Sequence, residues 1–222
     1  MRLYHGSVRV IEHPVFGVGK ATNDYGLGFY CTEHIDLAKE WACGEPNDGF
    51  ANAYDINVDG LSVLNLNGEH WTILNWLALL VNNRKIQVTT PIQDAARQYL
   101  LLHFLPDVSP YDIIRGYRAD DSYFSFARAF LGNEISLAQL STAMRLGNLG
   151  EQVVIKSRRA FKRLKFAGAE IARAEQYHLQ RRTRDETARA DFQRAASAPD
   201  LDGLFMRDIL RAKMEIDDAR LR

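Results

Sequence analysis

The sequence is defined first by what it lacks. It holds only two cysteines, Cys31 and Cys43, with no Cys-x-x-Cys pair and no Cys/His cluster. Two cysteines build no disulfide framework, so a reducing, cytoplasmic setting is expected, and the missing ligand spacing argues against a metal site. No long hydrophobic run occurs. The longest, Trp76–Val81, falls far short of the roughly 20 residues a membrane helix needs. The N-terminus is polar at Arg2 and reaches His5 without the apolar stretch of a signal peptide. A membrane is therefore not an expected partner. Net charge is also missing, since 28 basic and 28 acidic residues cancel. That argues against the whole chain being a nucleic-acid or membrane binder. No internal repeat or low-complexity segment stands out.

What is present suits a globular protein of one domain with an appendage, or two small domains, in 222 residues. The charge is unevenly spread. Lys156 to Arg222 carries 17 basic and 11 acidic residues, a net of +6 that leaves −6 on the rest. Such a tail either steers a polyanion or is a solvated, salt-bridged helix. Arg181-Arg182-Thr183-Arg184 has the charge for nucleic acid but no interleaved aromatic residues.

Short strands are expected at residues 1–5 and 8–12, flanking His5-Gly6-Ser7, and at Phe29–Thr32 after a turn-rich Asn23–Gly28. A helix follows over Glu33–Ala42, with Thr32 as a candidate cap. Ala51–Val58 and Ser62–Leu66 read as strands around the Asp59-Gly60 turn. Helical spacing runs from Glu69 to about Arg84, and again from Pro91, a residue suited to a first helical turn, to Leu105. Tyr111–Gly116 reads as a short strand, Asp121–Leu131 and Ser136–Leu146 as helices, and Glu151–Lys156 as the clearest strand of the chain. After a helical turn at Arg158–Leu164, two helices are expected over 169–196 and 201–220. The order implies an α+β fold. Trp41, Trp71 and Trp76 sit at helical spacing and read as core. His34, His70, His103 and His178 are isolated.

Three segments carry candidate chemistry: Leu3-Tyr4-His5-Gly6-Ser7, Tyr25-Gly26-Leu27-Gly28-Phe29-Tyr30-Cys31-Thr32, and Glu151-Gln152-Val153-Val154-Ile155. The Gly26-x-Gly28 pair is no dinucleotide fingerprint, because it precedes a strand and no third glycine fits. Together the segments resemble the ADP-ribosyltransferase fold of the diphtheria-toxin and poly(ADP-ribose) polymerase branch, whose strands supply His, Tyr and a third, usually acidic, residue. The chain is more similar still to a bacterial family with a predicted transferase fold, often encoded beside a small partner gene in toxin–antitoxin-like pairs. Asp24–Thr32 matches that family's Asp-Phe-Gly-x-Gly-Phe-Tyr-x-Thr segment, with Tyr25 in place of Phe. Asp112–Gly116 with Ala119-Asp120-Asp121, Gln152–Ser157 and Leu164-Lys165-Phe166 match further segments. The likeness spans residues 1–168 and leaves 169–222 as a charged helical tail.

The resemblance implies a split β-sheet core with inserted helices and a C-terminal helical extension. It implies NAD as substrate and transfer of ADP-ribose to a protein or nucleic-acid acceptor by an intracellular toxin, with a small antitoxin protein as partner. It places His5, Gly6, Ser7, Tyr25, Gly28 and Tyr30 in the NAD site. Tyr30 would stack on the nicotinamide ring, the Gly6 backbone would pair with its carboxamide, and His5, helped by Ser7, would hold a ribose hydroxyl. For the third position both Glu151 and Gln152 are candidates. Adjacent strand residues face opposite ways, so one of them meets the ligand. The polymerase pattern favours Glu151 and the closer family favours Gln152. A Gln holds a hydroxyl but is no base, so a base would come from elsewhere, the acceptor itself included. Asp120 and Asp121 are candidates for it, although an N-cap pair before the Ser122–Leu131 helix is the favoured reading of them. Hydrolysis of NAD without an acceptor, and a catalytically inactive binding module, are the other two readings.

Overall fold

The computed structural model describes residues 1–44, 47–119, 121–144, 151–198 and 200–221. Among the described residues, two sheets and eight α-helices form an α+β fold. The first sheet is antiparallel and three-stranded, in the order β1 (Arg2–Ser7), β3 (Gly49–Ile56), β7 (Leu164–Ala172). The second has the order β2 (Phe29–Cys31), β6 (Glu151–Ile155), β5 (Ile113–Tyr117), β4 (Val63–Asn65), with β4 parallel to β5. Central position explains why β6 does not alternate: Val153, Val154 and Ile155 are all fully buried because both faces of the sheet are covered.

Helix α1 (Ile35–Ala42) packs on β1 and β3. Helices α2 (Ile73–Asn83), α3 (Pro91–His103), α4 (Asp121–Leu131) and α5 (Leu137–Ala143) form the main core on the second sheet. Their starts follow local chemistry. The Thr90 hydroxyl accepts from the Gln93 N–H with Pro91 in the first turn, and the Thr72 N–H donates to the Asn75 side chain. Ser136 and Gln139 form a capping box on α5. Thr32 was the expected cap of α1, but His34 holds that position, and the Thr32 hydroxyl accepts the His34 N–H. Trp76 is enclosed in the core. Its indole N–H and the Tyr25 hydroxyl both donate to the carbonyl of Tyr117.

After the turn α6 (Arg158–Phe161), the chain departs from the expected pattern. Residues 169–172 are strand, not helix, because β7 continues along β3 to the Gly49↔Ala172 pair. The division expected at residue 168 therefore falls inside β7. Helix α7 begins at Ala174 and runs to Ser197, and α8 covers only Met206–Ala212 before a 3-10 turn at Ala219–Leu221. These elements are built into the body of the protein. Phe192 of α7 packs on Phe126 with ring centres 3.9 Å apart, and Met206, Ile209, Met214 and Leu221 are buried in the main core. Residues 8–12, expected as a strand, form an irregular loop instead, since a β3 side chain takes up their backbone groups.

Asp112 ties the second sheet together. Its carboxylate accepts from the Ser62 N–H at 2.8 Å, from the Ser157 hydroxyl and from the Arg159 guanidinium, while its own carbonyl accepts from the N–H groups of Lys156 and Ser157. The Arg159 guanidinium holds the carboxyl well below the usual carboxylate range. Such a group stabilises the fold above its unfolded pKa, and the contribution is lost as pH falls. Asp112→Asn is expected to cost about 1–2 kcal/mol at neutral pH and to flatten the acid side of the stability profile. Urea titrations at pH 7, 5 and 3 measure both; an unchanged acid slope would contradict this account.

Candidate functional site where two strands part

Sheet geometry positions the site. Met1 and Ile56 exchange backbone hydrogen bonds. By the alternation of antiparallel pairing, the N–H and C=O groups of Tyr4 and Gly6 then face away from β3, toward β2. Tyr4 uses this edge: it exchanges bonds with Thr32 at 2.8 and 2.9 Å, the one bridge joining the two sheets among the described residues. Beyond it the strands part. The backbone edges of Gly6 and Tyr30 face each other across the opening.

His5 spans that opening. Its Nδ1 lies 2.7 Å from the Tyr30 carbonyl oxygen, and its ring stacks on Phe29 with centres 4.5 Å apart. A carbonyl only accepts, so Nδ1 carries the proton and Nε2 presents a lone pair. Burial pushes the imidazole pKa below its ordinary 6.5, against the opposing pull of the Tyr30 carbonyl, so the ring is neutral at pH 7.

A cavity of about 370 Å³ opens beside His5. Phe16, Phe29 and Phe161 supply aromatic walls, and Arg9, His13 and Lys156 supply positive or titratable nitrogen. No carboxylate is among its lining residues. Such a cavity suits an anionic ligand carrying a flat ring. Lys156 donates to the carbonyls of Tyr25 at 2.7 Å and Leu27 at 2.6 Å, which fixes the turn before β2. The opposite wall is the loop after β1. Asn52, fully buried on β3, holds it: the amide nitrogen lies 3.0 Å from the Ser7 hydroxyl and 3.3 Å from the Arg9 carbonyl, and the amide oxygen accepts the Ile11 N–H at 2.8 Å. The Tyr54 hydroxyl donates to the Ile11 carbonyl.

The expected site residues separate accordingly. His5, Gly28 and Tyr30 line the cavity. Gly28 admits no side chain there, because a Cβ would lie 2.5 Å from Val154. Gly6 offers its backbone edge to the opening, and its lack of a side chain also lets α1 approach: a Cβ would stand 2.1 Å from the Ala38 carbonyl oxygen. The Ser7 hydroxyl is committed to Asn52 and to the Arg9 carbonyl. The Tyr30 hydroxyl donates to the Gly26 carbonyl and accepts the Tyr25 N–H, which closes the turn. Tyr25 itself is enclosed.

Register separates the two candidates for the third position. Tyr30 pairs with Val154, so Gln152 shares the face of Tyr30, and Glu151 takes the other. Gln152 is buried, its amide nitrogen 3.4 Å from Asp24 and its oxygen without a hydrogen-bond partner among the described residues. Glu151 accepts from Asn67 at 2.6 Å and pairs with Arg115, which also pairs with Glu33. Asp120 lies outside the described residues, as does the side chain of Asp121, whose backbone opens α4.

Three contributors had no role assigned from the sequence. Asn52 sits in a strand pattern that predicts core. Lys156 lies within the recognised Gln152–Ser157 segment but had no assigned partner. Asp24 lay within a recognised segment but had no assigned partner; it is paired with Arg84 at 2.7 Å and accepts the Ala119 N–H at 2.9 Å. Trp41 is not core: it is partly exposed, with the Arg118 guanidinium 4.8 Å from its ring centre. No cluster of three or more His, Cys, Asp or Glu able to hold a metal occurs among the described residues, and no described helix is long and apolar enough to cross a membrane.

Fold and cavity thus define an α+β protein with a cavity, lined by no carboxylate among the described residues, where two antiparallel strands diverge. Residues 1–166 match the model of a family described as a protein of unknown function, DUF3990, and the chain belongs to that family. No curated protein and no solved structure matches it.

Proposed function

We propose that the protein is a mono-ADP-ribosyltransferase that takes NAD as substrate. The observation that carries this reading is the parted pair β1/β2: a neutral His5 with Nε2 free to accept, the backbone edge of Gly6 facing the opening, and a cavity that combines aromatic walls with cations and no carboxylate. Arg9 and Lys156 suit the pyrophosphate. The Gly6 N–H and C=O suit the donor and acceptor of a carboxamide. His5 Nε2 suits a ribose hydroxyl. In the reaction the nicotinamide–ribose bond breaks with its electron pair leaving on nicotinamide, the sugar passes through an oxocarbenium-like state, and an acceptor nucleophile bonds to the anomeric carbon and loses its proton. Neither candidate for the third group lines the cavity; Gln152 is favoured over the ion-paired Glu151 because its amide oxygen has no partner among the described residues. An amide orients a hydroxyl but takes no proton, so the nucleophile's proton leaves to another, basic group of the acceptor or to solvent. In this reading the acceptor is a macromolecule, protein or nucleic acid. The protein acts as an intracellular bacterial toxin held in check by a small antitoxin protein.

The test is incubation with NAD labelled in its adenylate half, with and without cell lysate. Nicotinamide release together with labelled macromolecule supports transfer. Release with only free ADP-ribose means hydrolysis. A thermal shift with NAD but no release identifies a binding module, and no response at all sinks the reading. Because burial keeps His5 neutral below its ordinary pKa, the acid limb of nicotinamide release is expected below pH 6.5. A limb above that pH would remove His5 from the proposed role.

A further inference from the structure

Five of the twelve large apolar residues exposed among the described residues fall in one stretch: Val8, Val10, Val15, Val18 and Leu27. Val15 and Val18 are 69% and 74% exposed, yet both also line the cavity, as does Leu27. Val15, Val18 and Leu27 form an apolar collar around its mouth. Surface apolar residues scattered singly need no explanation; a contiguous group of this kind marks a contact surface.

The collar is held in place. Asn52 and Tyr54 fix the backbone at Arg9 and Ile11 at one end of the stretch, and Phe16, between the two valines, packs edge-on against Phe161 with ring centres 5.4 Å apart, so an incoming partner orders little chain on binding. It is also charged. Arg9 and Lys20 lie within the stretch, and Arg158 sits over Phe16, its guanidinium carbon 4.7 Å from the ring centre. None of the three is in an ion pair among the described residues. Against these cations the stretch carries one exposed acid, Glu12.

We infer that the collar docks a second protein, through a segment with apolar side chains flanked by carboxylates, and that the docked segment covers the cavity mouth. Apolar anchors ringed by complementary charge are the usual make-up of a protein contact. A nucleic acid would use the cations and leave the valines without partners. The docking stands on the collar alone; only its effect on NAD turnover rests on the proposed function.

The experiment pans a twelve-residue random peptide library, displayed on phage, against the intact protein. The enriched peptides are synthesised and titrated by fluorescence anisotropy. Expected are sequences combining apolar and acidic residues, whose affinity falls about tenfold or more in Val15→Ser/Val18→Ser and in Lys20→Glu. Circular dichroism of each variant verifies the fold. Peptides without acidic character, or binding that ignores both variants, would overturn the inference. So would displacement of the peptides by a mixed-sequence oligonucleotide, or a dimer in sedimentation that Val15→Ser/Val18→Ser dissolves. Peptide binding as expected in a protein that never turns over NAD would leave the docking intact and remove only the enzymatic reading.

Discussion

Asp24→Ala is expected to lower the unfolding free energy by about 3–5 kcal/mol, the usual cost of removing one member of a buried ion pair. Asp24 is enclosed beneath the turn that precedes β2. One oxygen meets Arg84 at 2.7 Å, and the other accepts the Ala119 N–H at 2.9 Å. Without the carboxylate, Arg84 keeps, among the described residues, the Phe124 ring, 4.0 Å away, and the Ala119 carbonyl oxygen at 3.4 Å. Asp24→Asn retains the shape and one acceptor, so a smaller loss of about 1–2 kcal/mol is expected. The two variants also differ from wild type in pH dependence. Burial, outweighing Arg84, pushes the Asp24 carboxyl above its ordinary 3.8. The native state therefore binds this proton more tightly than the unfolded chain does. The contribution is complete below pH 3.8 and declines as pH rises through the native pKa, opposite in sign to that of Asp112. Urea unfolding of both variants between pH 3 and pH 7 measures these effects. A loss under 1 kcal/mol for Asp24→Ala would show that the pair carries no net stability.

His5→Ala is expected to reduce nicotinamide release at saturating NAD by about 100-fold or more, the scale of losing one positioned polar group at a reacting centre. The stability cost is smaller, about 1–2 kcal/mol, for the ring contact with Phe29 and the bond to the Tyr30 carbonyl. His5→Phe separates the two effects. It keeps an aromatic ring against Phe29 and removes both nitrogens, so its melting point should stay near wild type while release falls as in His5→Ala. Wild-type release by either variant would dissociate His5 from the chemistry.

Much of the fold is legible in the sequence wherever local chemistry and tertiary packing agree. Pro91 announces a helix start, and the aliphatic run after Gln152 announces the clearest strand of the chain. Legibility fails where a partner distant in sequence decides. Ala169-Glu170-Ile171-Ala172 has helical composition, yet the open edge of β3 draws it into a sheet. Residues 8–12 alternate like a strand, but Asn52 supplies their hydrogen-bond partners through a side chain. The site divides in the same way. His5, Gly28 and Tyr30 stand out because a recognisable segment contains them. Asn52 does not, and the recognised segments that contain Asp24 and Lys156 give no sign of their partners, because each acts by holding backbone or charge from another part of the chain. Tyr25 illustrates the converse: it lies in the most recognisable segment, yet its hydroxyl is spent on the Tyr117 carbonyl in the core.

The pairing of β2 with β6, and of β3 with β7, joins segments about 120 residues apart in the chain. Closing loops of that size before any contact rewards them makes folding slow. During synthesis, β1, β2 and β3 leave the ribosome long before the strands that complete their sheets. The opening beside His5 needs β2 held in place, and β6 is what holds it. The nascent chain therefore carries all of the His5 and Tyr30 segments without possessing a cavity. Function is gained at one late step, when the last strands dock. Until then the unfinished edges of β2 and β3 are what a chaperone or a partner protein would meet.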